Sequence, residues 1–189
     1  MGGRLVYLIG ASGSGKDSLL TYARQHLAAA PRVAFAHRYI TRPFDAGGEN
    51  HVALIEAEFD TRLAMNLFAM HWDSHGHRYG IGCEINHWLA KGITVVMNGS
   101  REYLPEARQR YPELRAVLVS VAPDILASRL RARGREDEAA IARRVARATA
   151  YAEPAGVHHR LANDGTLEAA GESLVRYILA CREESLACA

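Results

Sequence analysis

The stretch Gly10-Ala11-Ser12-Gly13-Ser14-Gly15-Lys16 carries the clearest chemistry in the chain. It follows an apolar run, Leu5 to Ile9, and precedes a helical pattern carried by Leu19, Leu20, Ala23 and Leu27. Strand, glycine-rich turn, lysine, helix is the Walker A arrangement, Gly-x-x-x-x-Gly-Lys. Gly10, Gly13 and Gly15 permit backbone angles that a Cβ forbids, so amide N–H groups can crowd a phosphate. The helix start adds unpaired N–H donors and a partial positive charge. Lys16 supplies a mobile point charge for the outer phosphates. The spacing therefore predicts a nucleotide phosphate site built from Gly10 to Lys16 and continued by Asp17 and Ser18.

One position departs from that arrangement. A serine or threonine normally follows the lysine, and its hydroxyl ligates Mg²⁺. Here Asp17 stands there, and Ser18 comes one residue later. A carboxylate suits Mg²⁺, so Asp17 is the candidate metal ligand. The competing reading is that Asp17 only complements the positive end of the helix.

Other charged residues fall in groups. Arg38 and Arg42 flank Tyr39-Ile40-Thr41 at the end of a short strand, Val33 to Ala36, which runs into His37. Two guanidiniums beside a phosphate loop are placed to hold a second anion; the plain alternative is solvated surface arginine. Residues 67–82 hold His71, Asp73, His75, His77, Arg78 and Tyr79. Their alternation and glycines predict a hairpin or two strands around a turn. The segment forms either a polar substrate pocket, an exposed polar hairpin or a metal site; the last lacks helical His spacing and cysteine. Arg129, Arg131, Arg133 and Arg135, then Arg143, Arg144 and Arg147, lie on helices around an acidic stretch at residues 136–138. Like charges one helical turn apart repel, which favours a mobile lid that brings arginines onto transferring phosphates.

Positioning these groups requires several elements. Ile93 to Met97 is a second apolar run, hence a central parallel strand. It ends in Asn98-Gly99-Ser100-Arg101, without the carboxylate often found there, which strengthens the case for Asp17 as the metal's anchor. Leu114 to Val121 and Arg160 to Ala162 are further strands. Helices are expected at 56–66, 83–91, 102–111, from Pro123, at 139–152 and at 166–184. Five strands alternating with helices predict an α/β fold: a parallel five-stranded sheet covered on both faces, with ligands at the carboxyl ends of the strands.

At 189 residues the chain is expected to be one domain with a sizeable core. Its net charge of +2 is too small to imply nucleic-acid or membrane partners, and no apolar run spans a membrane. Cys83, Cys181 and Cys188 form no CxxC pair and argue for a reducing compartment. The first strand begins almost at once, leaving no room for a signal peptide; the expectation is a cytoplasmic protein. Monomer and homodimer both remain open.

With these residues in hand, the chain resembles the guanylate kinase group of nucleoside monophosphate kinases, a P-loop NTPase family. The resemblance rests on Gly10 to Lys16, Thr41-Arg42, Gly76-x-x-Tyr79-Gly80, Arg129-Leu130-x-x-Arg133-Gly134, Ile141-x-x-Arg144 and Asn163-Asp164. It implies an acceptor-binding segment at about 38–82 and a lid at about 129–147. It implies lid and catalytic roles for Arg133 and Arg144, acceptor-phosphate contacts from Arg42 and Tyr79, and a place near the adenine for Asn163. Three departures stand out. Met70 falls where guanylate kinases carry a base-reading glutamate. Asn98 and Ser100 replace a pair of aspartates, and Asp45 replaces an arginine.

A closer resemblance accounts for the departures. Gly15-Lys16-Asp17-Ser18-Leu19-Leu20, His37-Arg38-Tyr39-Ile40-Thr41-Arg42, Glu49-Asn50-His51, Tyr79-Gly80-Ile81-Gly82, Val96 to Arg101 and Asn163-Asp164-Gly165 are similar to the ribose 1,5-bisphosphate phosphokinase family of bacterial phosphonate degradation. That resemblance implies conversion of ribose 1,5-bisphosphate and ATP to 5-phosphoribosyl 1-diphosphate and ADP. It implies Lys16 and Mg²⁺ on the donor, Arg129, Arg133 and Arg144 as catalytic cations, and Arg38 and Arg42 on the acceptor. Thr41 joins them, and His37, His51, Asp73 and Tyr79 are candidates for the sugar and 5-phosphate. The competing functions are a kinase for GMP or another nucleoside monophosphate, and a non-catalytic binding module that would need neither Lys16 nor the lid arginines.

Overall fold

Six consecutive residues with almost no polar character, Leu5–Gly10, form the central strand β1, buried on both faces as a strand inside a parallel sheet must be. The fold is that of a computed structural model describing residues 2–46, 49–134, 137–150 and 154–187. The elements that follow are α1 (Lys16–His26), β2 (Val33–Phe35), β3 (Arg38–Ile40), β4 (Val52–Ala53), α2 (Glu56–Ala64), β5 (Phe68–Ser74) and β6 (His77–Gly82). Then come α3 (Glu84–Ala90), β7 (Thr94–Asn98), α4 (Leu104–Arg110), β8 (Arg115–Ser120), α5 (Pro123–Arg133), α6 (Glu138–Ala150), β9 (His159–Ala162) and α7 (Leu167–Ala187).

The five expected strands form one parallel sheet in the order β2-β7-β1-β8-β9. Helices α1 and α7 cover one face, where Leu19, Ala23, Leu174 and Ile178 pack on Val6, Leu8, Val96 and Val117. Each fully buried Leu or Ile there contributes about 1.5–3 kcal/mol. On the other face Tyr7, Ile9, Val95 and Met97 meet Ile85 of α3 and Leu104 and Ala107 of α4.

The expected hairpin belongs to a larger unit than the sequence suggested. A second sheet of four strands, ordered β4-β3-β6-β5, stands beside the first. The predicted hairpin supplies β5 and β6, joined through His75 and Gly76, both at positive φ (51° and 74°), as a tight hairpin turn requires. Strands β3 and β4 were not legible. They are three and two residues long, too short to display a period, and are held by distant partners: Arg38 opposite Ile81, Tyr39 opposite both Gly80 and Val52. Ile40, Met70, Trp72, Tyr79 and Ile81 of this sheet share a hydrophobic cluster with the inner face of the first. The second sheet is thereby packed against the floor that carries the phosphate loop.

Helices α5 and α6 meet through their own small cluster, Leu126, Leu130 and Ile141. Gly47, Gly48, Arg135, Glu136, Ala152 and Cys188, to which parts of the sequence reading refer, lie outside the described residues.

Candidate active site

The phosphate loop leaves the carboxyl end of β1 and enters α1. Gly15 is the N-cap residue of α1, with φ 88° and no side-chain cap, so the first N–H groups of the helix are left for a ligand. A Cβ at Gly15 would stand 2.4 Å from the amide nitrogen of Asn163, on top of a φ that disfavours any side chain. Asn163, buried just beyond β9, donates from Nδ2 to the Ser14 carbonyl at 2.8 Å. The residue expected near an adenine thus braces the phosphate loop itself. The Ser14 hydroxyl is buried and has no partner, an orphaned polar atom inside the cradle. Lys16 curls over the loop and donates from Nζ to the carbonyls of Gly10 at 2.8 Å and Ala11 at 3.2 Å. Burial lowers its pKa to about 8; Asp17 opposes this, while Arg38 and Arg101 add to it. These features fit a polyphosphate, which supplies the negative charge that the loop lacks.

Asp17 is half-buried in the first turn of α1, and its Oδ1 accepts from Nδ2 of Asn98, the last residue of β7, at 2.9 Å. Ser18 is exposed. Ser12, also exposed, accepts from Nη2 of Arg144 on α6, so this arginine reaches the rim of the loop. Burial and the neighbouring Arg133 and Arg147 guanidiniums depress the Arg144 pKa, the cost of gathering cations. Arg129 is half-buried on α5, its Nη1 3.9 Å from where a Cβ on Gly15 would lie. Arg133, the last residue of α5, is exposed near Arg144. Arg131 turns outward instead, into a bidentate pair with Glu138 at 2.7 and 2.9 Å that joins α5 and α6.

Facing the loop, Arg38 is held by Glu49, with Nε to Oε1 at 2.7 Å and Nη2 to Oε2. The Arg38 guanidinium lies 4.9 Å over the Tyr79 ring, whose other face stacks on Trp72 at 5.6 Å with 2° between planes. Trp72 in turn stacks on Tyr103 at 5.3 Å. Arg42 has its Nε buried without a partner, a donor left for an anion. His51 sits against the carbonyls of Glu49 and Arg42, with Nδ1 at 2.9 Å and Nε2 at 3.1 Å. His37 Nε2 lies 3.0 Å from Arg24 Nη1 and 3.2 Å from Asn50 Nδ2. Both neighbours are donors, so that nitrogen is the acceptor; burial and then Arg24 lower the His37 pKa to match. The Thr41 hydroxyl accepts from the Arg78 backbone N–H at 2.9 Å, extending the pairing of β3 with β6.

Asp73 does not join this cluster. Side chains alternate along β5, so Met70 and Trp72 point inward while His71 and Asp73 point out. The Asp73 side chain is 87% exposed and lies 3.9 Å from Arg78, which is clamped to Asp60 at 2.5 Å and Glu56 at 3.4 Å and stacks over Phe59. The polar pocket drawn from His, Asp, Arg78 and Tyr79 is therefore split between two faces of one hairpin. His77 bonds the Thr41 carbonyl at 2.9 Å. Among the described residues no group of three His, Cys, Asp or Glu is placed to hold a metal ion. The positioning role of Glu49 was missed. The signal that could have revealed it is an acid, one of only two with Asp45, among His37, Arg38, Arg42 and His51.

A phosphate loop at the carboxyl edge of a parallel sheet, a second sheet opposite it and an arginine-bearing helix pair define a P-loop fold of the guanylate-kinase type. A crystal structure of guanylate kinase from Anaplasma phagocytophilum shares the fold, with a TM-score of 0.66 at 16% identity over 96% of this chain and 89% of that one. No family model matches the chain. Ribose 1,5-bisphosphate phosphokinase PhnN of Thiobacillus denitrificans is 65% identical over 176 residues, 93% of both chains. The protein of that name from Chromobacterium violaceum is 53% identical over 93% of this chain and 94% of its own. The chain belongs to the ribose 1,5-bisphosphate phosphokinase PhnN family.

Proposed function

We propose that this protein transfers the γ-phosphoryl group of ATP to the 1-phosphate of ribose 1,5-bisphosphate, forming 5-phosphoribosyl 1-diphosphate and ADP. The observation that carries this reading is the 65% identity to the Thiobacillus protein along 93% of both chains. The geometry supports it. The acceptor side offers cations and stacked rings, and Met70, wholly buried, has no group with which to hydrogen-bond a purine. A site lacking the partners of a substrate's polar edge discriminates strongly against that substrate.

The acceptor oxygen needs no general base, because a phosphate monoester has a second pKa of about 6 and is already ionised near neutral pH. The barrier lies in bringing two polyanions together, so positive charge and positioning do the catalysis. Lys16 and the open N-terminus of α1 take the donor phosphates. Arg129, Arg133 and Arg144, from a lid at about 129–147, neutralise charge on the group in transfer. Arg38 and Arg42, from an acceptor segment at about 38–82, bind the acceptor, with Thr41, His51, His37 and Tyr79 around the sugar and its 5-phosphate. Asp73 has no part in this reading. Asp17 is the carboxylate that would hold Mg²⁺, and the ion would supply positive charge to the donor phosphates. A cytoplasmic site of action fits an ATP-dependent enzyme whose described cysteines, Cys83 and Cys181, are free.

The test is ADP release in a coupled assay, with ribose 1,5-bisphosphate and GMP offered in parallel. Turnover with the sugar bisphosphate and neglect of GMP is the expected result. Brisk phosphorylation of GMP alone would return the protein to the nucleotide kinases, and ADP release with neither acceptor would leave a binding module.

A further inference from the structure

We infer that Asp17 and Asn98 form a transposed magnesium site, in which the loop helix provides the charge and the strand end provides a neutral partner for the ion's bound water. The inference rests on the kinase reading above and extends it to Asn98. In the ordinary P-loop arrangement a hydroxyl on the helix and a carboxylate at the end of a neighbouring strand share the ion. Here Asp17 occupies the hydroxyl's position, directly after Lys16. Asn98 ends β7, the strand beside β1, where that carboxylate would stand. The hydrogen bond that couples the two positions runs from Asn98 Nδ2 to Asp17 Oδ1 at 2.9 Å, with its polarity reversed.

The decisive atom is the other end of the amide. Asn98 is 3% exposed, and its Oδ1 is buried without any partner. If Asp17 served only to complement the helix dipole, Asn98 would be needed only as a donor, and its carbonyl oxygen would be left stranded for nothing. A metal-bound water gives that oxygen a donor, and Mg²⁺ characteristically retains several waters. The amide also explains why no second acid stands here. Its Nδ2 can face the Asp17 carboxylate, whereas an Asp at position 98 would oppose like charge at about 3 Å. The loop beyond Asn98 is pinned as well. The Tyr7 hydroxyl donates to the Ser100 carbonyl at 3.1 Å and accepts from the Ser100 N–H at 3.0 Å. Asn98 thus acts as a positioning residue on a rigid strand end, orienting Asp17 and the ion's water shell.

The test measures metal binding without turnover. Mn²⁺, a spectroscopic stand-in for Mg²⁺, is titrated by electron paramagnetic resonance into the protein carrying a non-hydrolysable ATP analogue. Asp17→Asn and Asn98→Ala should each weaken Mn²⁺ binding by about 10–100-fold, while affinity for the metal-free analogue stays within about twofold. The double variant Asp17→Ser with Asn98→Asp rebuilds the ordinary arrangement and should bind Mn²⁺ better than either of its single variants. Mn²⁺ affinity unchanged in Asn98→Ala, or a double variant no better than either of its single ones, overturns the inference; affinity unchanged in Asp17→Asn overturns it together with the ligand reading of Asp17. If Asn98→Ala fails to fold by thermal melting, Asn98→Leu, of similar shape and without the amide, decides in its place. No acceptor is present, so the result does not depend on whether the sugar bisphosphate is the substrate.

Discussion

Glu49 holds Arg38 on both carboxylate oxygens, Nε to Oε1 at 2.7 Å and Nη2 to Oε2, and thereby keeps the guanidinium over the Tyr79 ring. The pair is well buried, with side chains 14% and 10% exposed. A carboxylate at the mouth of a polyanion site opposes the substrate's charge, so its value must lie in fixing the cation. Removing one partner of such a pair leaves an uncompensated charge, at a cost of about 3–5 kcal/mol. Glu49→Gln keeps the shape and surrenders the charge. Steady-state kinetics should show kcat/KM for the sugar bisphosphate falling by about tenfold or more, ~1.4 kcal/mol, with the KM for ATP little altered. A loss confined to ATP would contradict this role.

Arg144 touches Ser12, on the phosphate loop, from the lid helix α6. Its charge is of most use as charge develops on the moving phosphoryl group. Arg144→Ala should lower kcat by about 10³-fold, in the range of other transfer arginines. ATP affinity, measured calorimetrically, should move far less, because Lys16 and the α1 N-terminus remain. Lys16→Met should abolish transfer. A lid variant that altered only ATP affinity would remove Arg144 from the catalytic set.

Tyr103, Trp72, Tyr79 and Arg38 form one column of rings and guanidinium. Trp72 stands between Tyr103 and Tyr79 in it and is 9% exposed. Trp72→Ala should cost about 3–5 kcal/mol in urea unfolding. It should also raise the KM for the acceptor, because Tyr79 loses the backing that sets its tilt. Unfolding without a change in that KM would mean the column is packing alone.

Four histidines, His37, His71, His158 and His159, have pKa values lowered below the usual 6.5, each chiefly by burial. Below that value the unfolded chain binds more protons than the native one, so native stability must fall as pH falls. The melting temperature should therefore drop between about pH 6.5 and 5. His37→Asn should flatten its share of the slope, because His37 Nε2 must stay unprotonated to accept from Arg24 and Asn50. A melting temperature that did not change over this interval would contradict the assignment.

Much of the phosphate-loop end of the sheet was legible in the residues. Gly10 to Lys16 specify their own geometry through local backbone freedom, and the apolar runs of β1, β7 and β8 announce buried parallel strands wherever they occur. Those features depend on near neighbours in the chain, so sequence alone determined the phosphate cradle, the five-stranded sheet and the flanking helices. The acceptor side depends on partners far apart. Strand β3 exists because Tyr39 finds Gly80 and Val52, Asp73 is outside because of its register in β5, and Arg131 is spent on Glu138 while Arg144 reaches Ser12. Nor could spacing show that Asn98 meets Asp17, eighty-one residues earlier, with an oxygen to spare. Charge and residue type are properties of the chain; which face a side chain takes, and whom it meets there, is decided only when non-local packing sets register and distance.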